Sequence, residues 1–445
     1  MKALHTLIAL GLLATLAQAA PPEVFLKLWN DPAVAGPIAQ GIEKHRKGNA
    51  MIEVVGKDGE PLANAAIEVV QQKHEFLFGC NLFVLDQLDT PELNAKYEKA
   101  FVNLFNFATL PFYWRDLEPE EGKARFTEDS PRIWRRPPPD RLVKWCKAHG
   151  ITPKGHALMY AKNMFMPDWT ASDNPETFQR QAAKHMAGIA ERYEGDVPIW
   201  DAVNEEIPRR IHFKEWHAVP DDYLAWCFQE AGRLFPKDVK LLINDGQREA
   251  HYCTHHYAAL VKQLLERGVR VEGIGIQFHV SRDSVLGGKL YMPAHLQDVY
   301  TQLGRLGLPL YITEITIPSV GENGAELQAA IVANYYRLWF STPAMAGVTW
   351  WNLGDGTAYE NENKALGGLL DKDMNPKPAY QALDRLINHE WRTNLKLTTD
   401  ASGKASFRGF HGKYSLRLTV GGEPREFPFE LKSKAGTSRA TLTLK

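Results

Sequence analysis

Between residues 75 and 389 the chain alternates short apolar runs, rich in β-branched and aromatic residues, with longer stretches whose apolar positions recur at helical spacing. The runs fall at 76–80, 102–108, 151–158, 197–203, 239–244, 271–277, 308–314 and 346–352, eight in all. Helix-like stretches lie between them, among them 175–193, 222–235, 250–267, 294–306 and 325–340. Strands that alternate with helices pair in parallel through right-handed crossovers. Eight such units predict an α/β fold of the closed (β/α)8 TIM-barrel type. The alternative, an open doubly wound sheet, requires a glycine-rich phosphate loop after an early strand, and none is visible.

Both ends follow a different pattern. Residues 49–55 and 65–70 flank Gly56-Lys57-Asp58-Gly59, which reads as a hairpin. After Trp391 come short strands at 395–399, 405–410, 414–420, 425–431 and 440–444, most of them separated by turns containing Gly403, Gly412 or Gly421-Gly422. Seven strands from the two termini predict an accessory β-sandwich-like module beside the barrel. A packing role suits it better than glycan binding, because exposed aromatics there are few. The expected domains are a signal peptide at 1–19, an N-terminal segment and hairpin at 20–75, a barrel at 76–390 and a β-rich module at 391–445.

Composition narrows the partners. The 445 residues are 44% apolar, which excludes a disordered chain, and 52 basic against 53 acidic residues leave no electrostatic footprint for nucleic acid. Lys2, the apolar run 7–16 and the small-residue triplet Ala17-Gln18-Ala19 read as a secretory signal cut near Ala19. No later stretch approaches the roughly 20 apolar residues of a membrane span. No cysteine follows the triplet to carry a lipid, so a secreted or periplasmic protein is expected. Of Cys80, Cys146, Cys227 and Cys253, the pair Cys227 and Cys253 is the first to test for a disulfide; four buried thiols is the plainer reading. His251 and His255 have a metal-compatible spacing but lack the accompanying Glu, and read as a helix face. Neither a metal nor another cofactor is expected.

The catalytic groups of a parallel barrel gather at the C-terminal ends of its strands. There this chain places Gly155-His156, Asn204-Glu205-Glu206, Asn244-Asp245, Gln277-Phe278-His279 and Thr313-Glu314. Stability requires no such ring, since each buried polar group costs free energy unless paired. Cleavage of a glycosidic bond requires two carboxyl groups, one to protonate the leaving oxygen and one to attack or stabilise the anomeric carbon. Glu205 and Glu314, on the fourth and seventh strands, are the candidates. Hydrogen bonds from His279 and neighbouring strand ends are expected to keep Glu314 ionised. Apolar surroundings from Trp200, Ala202 and Val203 are expected to keep a proton on Glu205.

Four segments, Trp200-Asp201-Ala202-Val203-Asn204-Glu205, Gly273-Ile274-Gly275-Ile276-Gln277-Phe278-His279, Ile312-Thr313-Glu314 and Gly347-Val348-Thr349-Trp350-Trp351, resemble in order the signatures of glycoside hydrolase family 10, the retaining endo-β-1,4-xylanases. The resemblance covers about residues 76 to 389, and the flanks resemble those of plant-type members. It implies Glu205 as general acid/base, Glu314 as nucleophile, Asn204 on the sugar 2-hydroxyl and His279 orienting Glu314. His156 and Gln277 would complete that subsite, with Trp351 packing on the sugar.

Departures mark the glycone side. Leu110-Pro111-Phe112-Tyr113-Trp114 stands where the family has a Glu-Asn…Lys-Trp pattern, so only Trp114 matches, and the resemblance implies it as a sugar contact beside Trp351, with Tyr160, Trp169 and Tyr359 as further substrate-binding candidates. Tyr160 and Ala161 replace a Trp-His pair, Asn352 replaces a Gly, and Tyr359 falls where a second cleft Trp is usual. Trp169 matches a Pro…Trp feature and either lines the cleft or packs its loop. An insertion from Ser130 to Pro139 adds Arg132, Arg135, Arg136 and Trp134. A solvated loop with Trp134 tucked beneath it is the default reading, and contact with an acidic sugar the sharper one. The expectation is an exported, monomeric, xylanase-like β-glycanase acting on polysaccharide. One alternative keeps the chemistry on a decorated or non-xylan β-glycan, exo-acting if Phe112, Tyr113 or Trp134 blocks the cleft. A non-catalytic glycan-binding barrel, from another class, is opposed by the presence of both glutamates.

Overall fold

The computed structural model describes residues 21–211, 216–246, 251–420, 423–434 and 436–444. The expected signal segment at 1–19 and the side chains of His251 and Cys253 lie outside the described residues. The chain enters through helices Pro21–Trp29 and Pro32–Arg46, then strands β1 (Lys47–Val55) and β2 (Ala66–His74). Eight strands follow: β3 (Leu77–Asn81), β4 (Phe107–Pro111), β5 (Thr152–Met159), β6 (Ile199–Asn204), β7 (Lys240–Asp245), β8 (Gly273–His279), β9 (Leu310–Thr316) and β10 (Met345–Trp350). They close into a parallel barrel in the order β10-β3-β4-β5-β6-β7-β8-β9. The expected TIM barrel is the fold.

The interleaved helices begin where local sequence dictates. Pro91–Leu104, Pro139–Ala148, Pro175–Tyr193, Pro293–Gly304 and Pro378–Asp384 each open on a proline, whose missing N–H and fixed φ suit the first helical position. Thr90 and Asn174 cap two of them, accepting from the amides of Leu93 at 3.2 Å and Thr177 at 2.9 Å. The run at 102–108, expected as a strand, is the end of Pro91–Leu104 followed by the start of β4. Tyr97, Ala100, Phe101 and Leu104 are buried at helical spacing while Val102 points outward, so one largely apolar run, broken only by Asn103 and Asn106, conceals a change of period.

The last five strands are β11 (Asn394–Thr398), β12 (Lys404–Phe410), β13 (Gly412–Val420), β14 (Glu423–Leu431) and β15 (Thr437–Thr443). With β1 and β2 they form two sheets, β12-β1-β15 and β11-β2-β13-β14. Alternate residues face one shared core, among them Ile52 and Val54 of β1, Ile67 and Val69 of β2, Leu416 of β13 and Leu442 of β15. The expected hairpin of β1 and β2 is corrected here, since the two strands belong to different sheets. The turn at Gly56–Glu60 closes on itself through a hydrogen bond from the Gly56 amide to the Glu60 carbonyl at 2.8 Å, and Pro61–Ala65 then carry the chain across to the facing sheet. Each strand has a single apolar face, and two such faces are both buried by opposition.

Residues 21–46, expected as part of the terminal module, instead form helices that cover the barrel. Phe25 and Trp29 pack on Tyr335 at ring separations of 5.9 and 5.5 Å. Cys80, Cys146 and Cys227 are buried free thiols, so Cys227 is not in a disulfide, and burial pushes Cys146 up to about 12. Among the described residues no helix is long and apolar enough to cross a membrane.

Candidate active site

Parallel strands covered by helices on one side and filled by side chains on the other bury both faces, and β6 is buried along its whole length. Within that strand Trp200 points outward to Phe112 and Phe235, at ring separations of 4.7 and 5.5 Å. The approach is close enough that a Cβ on Gly155 would stand 2.1 Å from the indole, which accounts for glycine beside it in β5. Asp201, two residues after Ile199, points inward and meets Lys154 and His156 of β5. Lys154 Nζ and His156 Nδ1 donate to one oxygen of Asp201, at 2.5 and 2.7 Å, and all three residues are at most 1% exposed. Burial opposes the Asp201 charge, but Lys154 and His156 outweigh it and hold the carboxyl below its ordinary value.

Above this buried ion pair, the strand ends form a hydrogen-bonded chain. Gln277 Nε2 donates to Glu205 Oε1 at 3.2 Å and reaches Asn204 Oδ1 at 3.5 Å. Asn244 Nδ2 donates to Asn204 Oδ1 at 2.8 Å and to Glu314 Oε1 at 3.1 Å, while Thr313 Oγ1 donates to Asn244 Oδ1 at 2.6 Å. His279 Nε2 donates to Glu314 Oε2 at 3.2 Å, and its Nδ1 is 2.9 Å from Thr316 Oγ1. His156 Nε2 lies 3.9 Å from Glu314 Oε1. Glu205, Glu314, His156, Asn204, Gln277 and His279 are thus gathered in one mouth, and both carboxylates belong to one network.

The two carboxylates differ in setting. Glu314 is 5% exposed; burial alone would raise its pKa, but the His279 hydrogen bond and the charges of His156, His279 and Lys154 hold it below the ordinary 4.5. Glu205 is only partly buried and sits at φ 56°, the left-handed region that side chains other than glycine enter at a cost. Glu205 does not have Trp200 beside it as expected, because that turn takes it off the strand line while Trp200 stays in the outer layer against Phe112 and Phe235. Its neighbour is instead Tyr160, whose hydroxyl is pushed up by burial and by a hydrogen bond and charge from Glu205.

The Glu314 charge has a measurable consequence. A carboxyl held low stays ionised, and its contribution to stability is present above 4.5 and lost as pH falls through its folded value. His279 has the opposite sign: burial lowers its pKa but Glu314 raises it further, so its contribution is complete below 6.5 and fades as pH rises through the folded value. If Glu314 must be charged for activity, the acid limb of kcat/KM falls below pH 4.5. His279→Ala removes the largest lowering influence and is expected to move that limb to higher pH; a pH–rate profile with an unmoved limb contradicts this role.

The aromatic expectations divide. Trp351 stands edge-on to His156 at 5.6 Å, and Tyr160 stacks on Phe165 at 4.7 Å, so both border the mouth. Trp114 does not: it is 4% exposed, stacked on His185 at 4.3 Å and bonded to Glu118, so sugar contact would require unpacking. Trp169 packs on Trp114 at 5.6 Å and donates to the Glu118 carbonyl. Tyr359 is 44% exposed on the loop after β10, at the start of the short helix Glu360–Ala365. Phe112 lies in the core and blocks nothing.

The insertion is also corrected. Trp134 is 46% exposed, and Arg135 is the residue tucked beneath, 4% exposed. Arg132, Arg135 and Arg136 donate to Gln87, Asn352 and Asp116, so these guanidinium groups are engaged by the protein rather than by a ligand. Burial lowers Arg135 to about 10. Asn352 takes φ 71°, which explains how it occupies a glycine-like position.

Lys154 and Asp201 were not expected as site residues, Tyr113 was expected only as a possible block of the cleft, and Asn244 only as a strand end. The usable signal was charge within otherwise apolar strands: Lys154 and His156 are two apart, hence on one face. Among the described residues, no group of three or more His, Cys, Asp or Glu is placed to hold a metal.

The family model for glycosyl hydrolase family 10 matches residues 94–385. Anti-sigma-I factor RsgI6 of Acetivibrio thermocellus is 27% identical over 409 residues, covering 91% of this chain and 49% of that protein. Endo-1,4-beta-xylanase 1 of Arabidopsis thaliana is 23% identical over 386 residues, covering 84% and 37%. The chain therefore spans about half or less of the length of these two relatives. Among solved structures, native xylanase 10B from Thermotoga maritima superposes with a TM-score of 0.59 at 22% identity, covering 71% of this chain and 96% of that one. At that identity the likeness concerns the fold.

Proposed function

Because the chain belongs to glycosyl hydrolase family 10, we propose that it is a retaining, xylanase-like β-glycoside hydrolase that cleaves β-1,4-linked plant cell-wall polysaccharide by double displacement. The observation that carries this reading is the single chain Glu205–Gln277–Asn204–Asn244–Glu314, which joins a partly exposed carboxyl group to a buried one held ionised. Glu314 attacks the anomeric carbon as the bond to the leaving oxygen breaks, and Glu205 gives that oxygen its proton. Glu205, now a carboxylate, takes a proton from water as the water oxygen attacks the anomeric carbon and frees Glu314.

The surrounding residues serve these two steps. His279 aligns Glu314 and sustains its charge. Asn204, held by Asn244, faces the sugar with its amide, and His156 is locked in one ring orientation by Asp201. Trp351 supplies an apolar surface to the ring. Export is part of the same reading, supported by the Lys2-led apolar run and the small residues before Ala20.

The test is a panel of β-glycans followed by NMR of the first-formed anomer. A β-configured product, appearing before mutarotation, is expected. An α-configured first product would mean inversion and overturn the double displacement, and no hydrolysis across the panel would favour a glycan-binding barrel.

A further inference from the structure

The general acid of a glycosidase stands beside the leaving oxygen, so the sugar being transferred, and any chain attached to its non-reducing side, extends away from the acid. Glu205 leaves β6, and the strand diametrically across the closed barrel is β10, with β3 and β4 next in order. The ends of those three strands carry Trp351, Phe83 and Tyr113, which are 5%, 1% and 8% exposed. Phe83 meets the rings of Trp351 and Tyr113 at 5.1 and 6.0 Å, and Tyr113 stands edge-on to His156 at 5.4 Å. His156 in turn borders Glu314. The single ring of His156 therefore stands between the nucleophile and this aromatic wall.

The wall has a second layer. The Arg136 guanidinium lies 4.0 Å over the Tyr113 ring and is held by Asp116 at 2.8 Å. Arg135 lies 5.3 Å from the Phe83 ring and donates to Asn352 Oδ1 at 2.6 Å and to the Thr357 carbonyl. Gln87, after β3, accepts from the Arg135 amide at 2.6 Å and donates to the Ile133 carbonyl at 2.8 Å. The insertion is thereby fastened to the loops after both β3 and β10. Tyr160 and Phe165 continue the wall from Tyr113, at ring separations of 6.4 and 4.9 Å, towards Glu205, and these three residues, unlike Phe83, Tyr113 and Trp351, are only partly buried.

We propose that the cleft is closed at the end facing away from Glu205, so that the enzyme removes one sugar at a time from non-reducing ends instead of cutting inside a chain, with Tyr113 and Arg136 as the specificity-determining pair. The inference rests on the hydrolase reading above. A chain threading through would have to displace the Tyr113 ring, unstack Arg136 and break its ion pair with Asp116.

The test uses the full chain and linear β-1,4-xylopentaose carrying a fluorophore at its reducing end. The expected first products are free xylose and labelled xylotetraose, with little fall in the viscosity of polymeric xylan per bond cut. Labelled xylobiose or xylotriose as first products, or a steep early fall in viscosity, would overturn the closed end while leaving the hydrolase reading intact. No cleavage of the pentaose or of an aryl β-xyloside would overturn both. Arg136→Ala and Tyr113→Ala are expected to raise the ratio of internal to terminal cuts about tenfold or more. An unchanged ratio in variants that fold, judged by circular dichroism, counts against the pair, and the unmodified protein's product pattern decides the matter if they do not fold.

Discussion

Glu314→Gln is expected to lower kcat/KM on any cleaved β-glycoside by at least about 10^4-fold, the scale on which deletion of a nucleophile acts. The amide keeps the shape and the contact with His279 but cannot form the glycosyl ester. Glu205→Ala is expected to act differently. On natural substrates the loss is about 10^2- to 10^4-fold, the range for removing a general acid/base. On an aryl glycoside whose leaving phenolate needs no proton, formation of the intermediate should survive and its hydrolysis should become slow, so a burst of phenolate appears. Azide, which needs no base, should then restore turnover of the Glu205 variant and not of the Glu314 variant. Full activity in either variant, or the same azide response in both, would show that the two carboxyl groups do not hold these separate roles.

Asp201→Asn is expected to destabilise the protein by about 3–5 kcal/mol, the cost of removing one partner from a buried ion pair. Lys154, 1% exposed beneath the site, would face a neutral amide in place of its counter-ion. Equilibrium unfolding in urea measures the loss, seen as a lower midpoint at an unchanged slope. The same substitution frees the His156 ring, which Asp201 holds at 2.7 Å, so activity should fall by more than the folded fraction explains. A double change, Lys154→Met with Asp201→Asn, removes both charges and should recover much of the stability without recovering His156. If the single variant were as stable as the parent, the ion pair would not be holding the floor of the site.

The strands could be found because each carries its own signal. β6, β8 and β9 are nearly continuous apolar runs ending in Asn204, His279 and the Glu314 segment, and burial on both faces of a parallel sheet demands that composition. The change from Leu104 to Phe107 could not be placed, because helix end and strand start were both apolar and only contacts tell them apart. The pairing of β1 and β2 failed for a related reason. A strand with one apolar face specifies that it will be covered, not whether its sequence neighbour will sit beside it or opposite.

By itself, then, the sequence determined what depends on short-range pattern: the alternation that makes a barrel, the polar residues at the strand ends, and the two glutamates among them. Tertiary structure decided everything that joins distant segments. Lys154 meets Asp201 across 47 residues and Arg135 meets Asn352 across 217, and neither pairing leaves a local trace. Which residue of Trp134-Arg135 turned inward followed from the donors and acceptors offered by Gln87, Asn352 and Thr357. A buried guanidinium is tolerated only where such partners converge, and their convergence exists only once the barrel has closed.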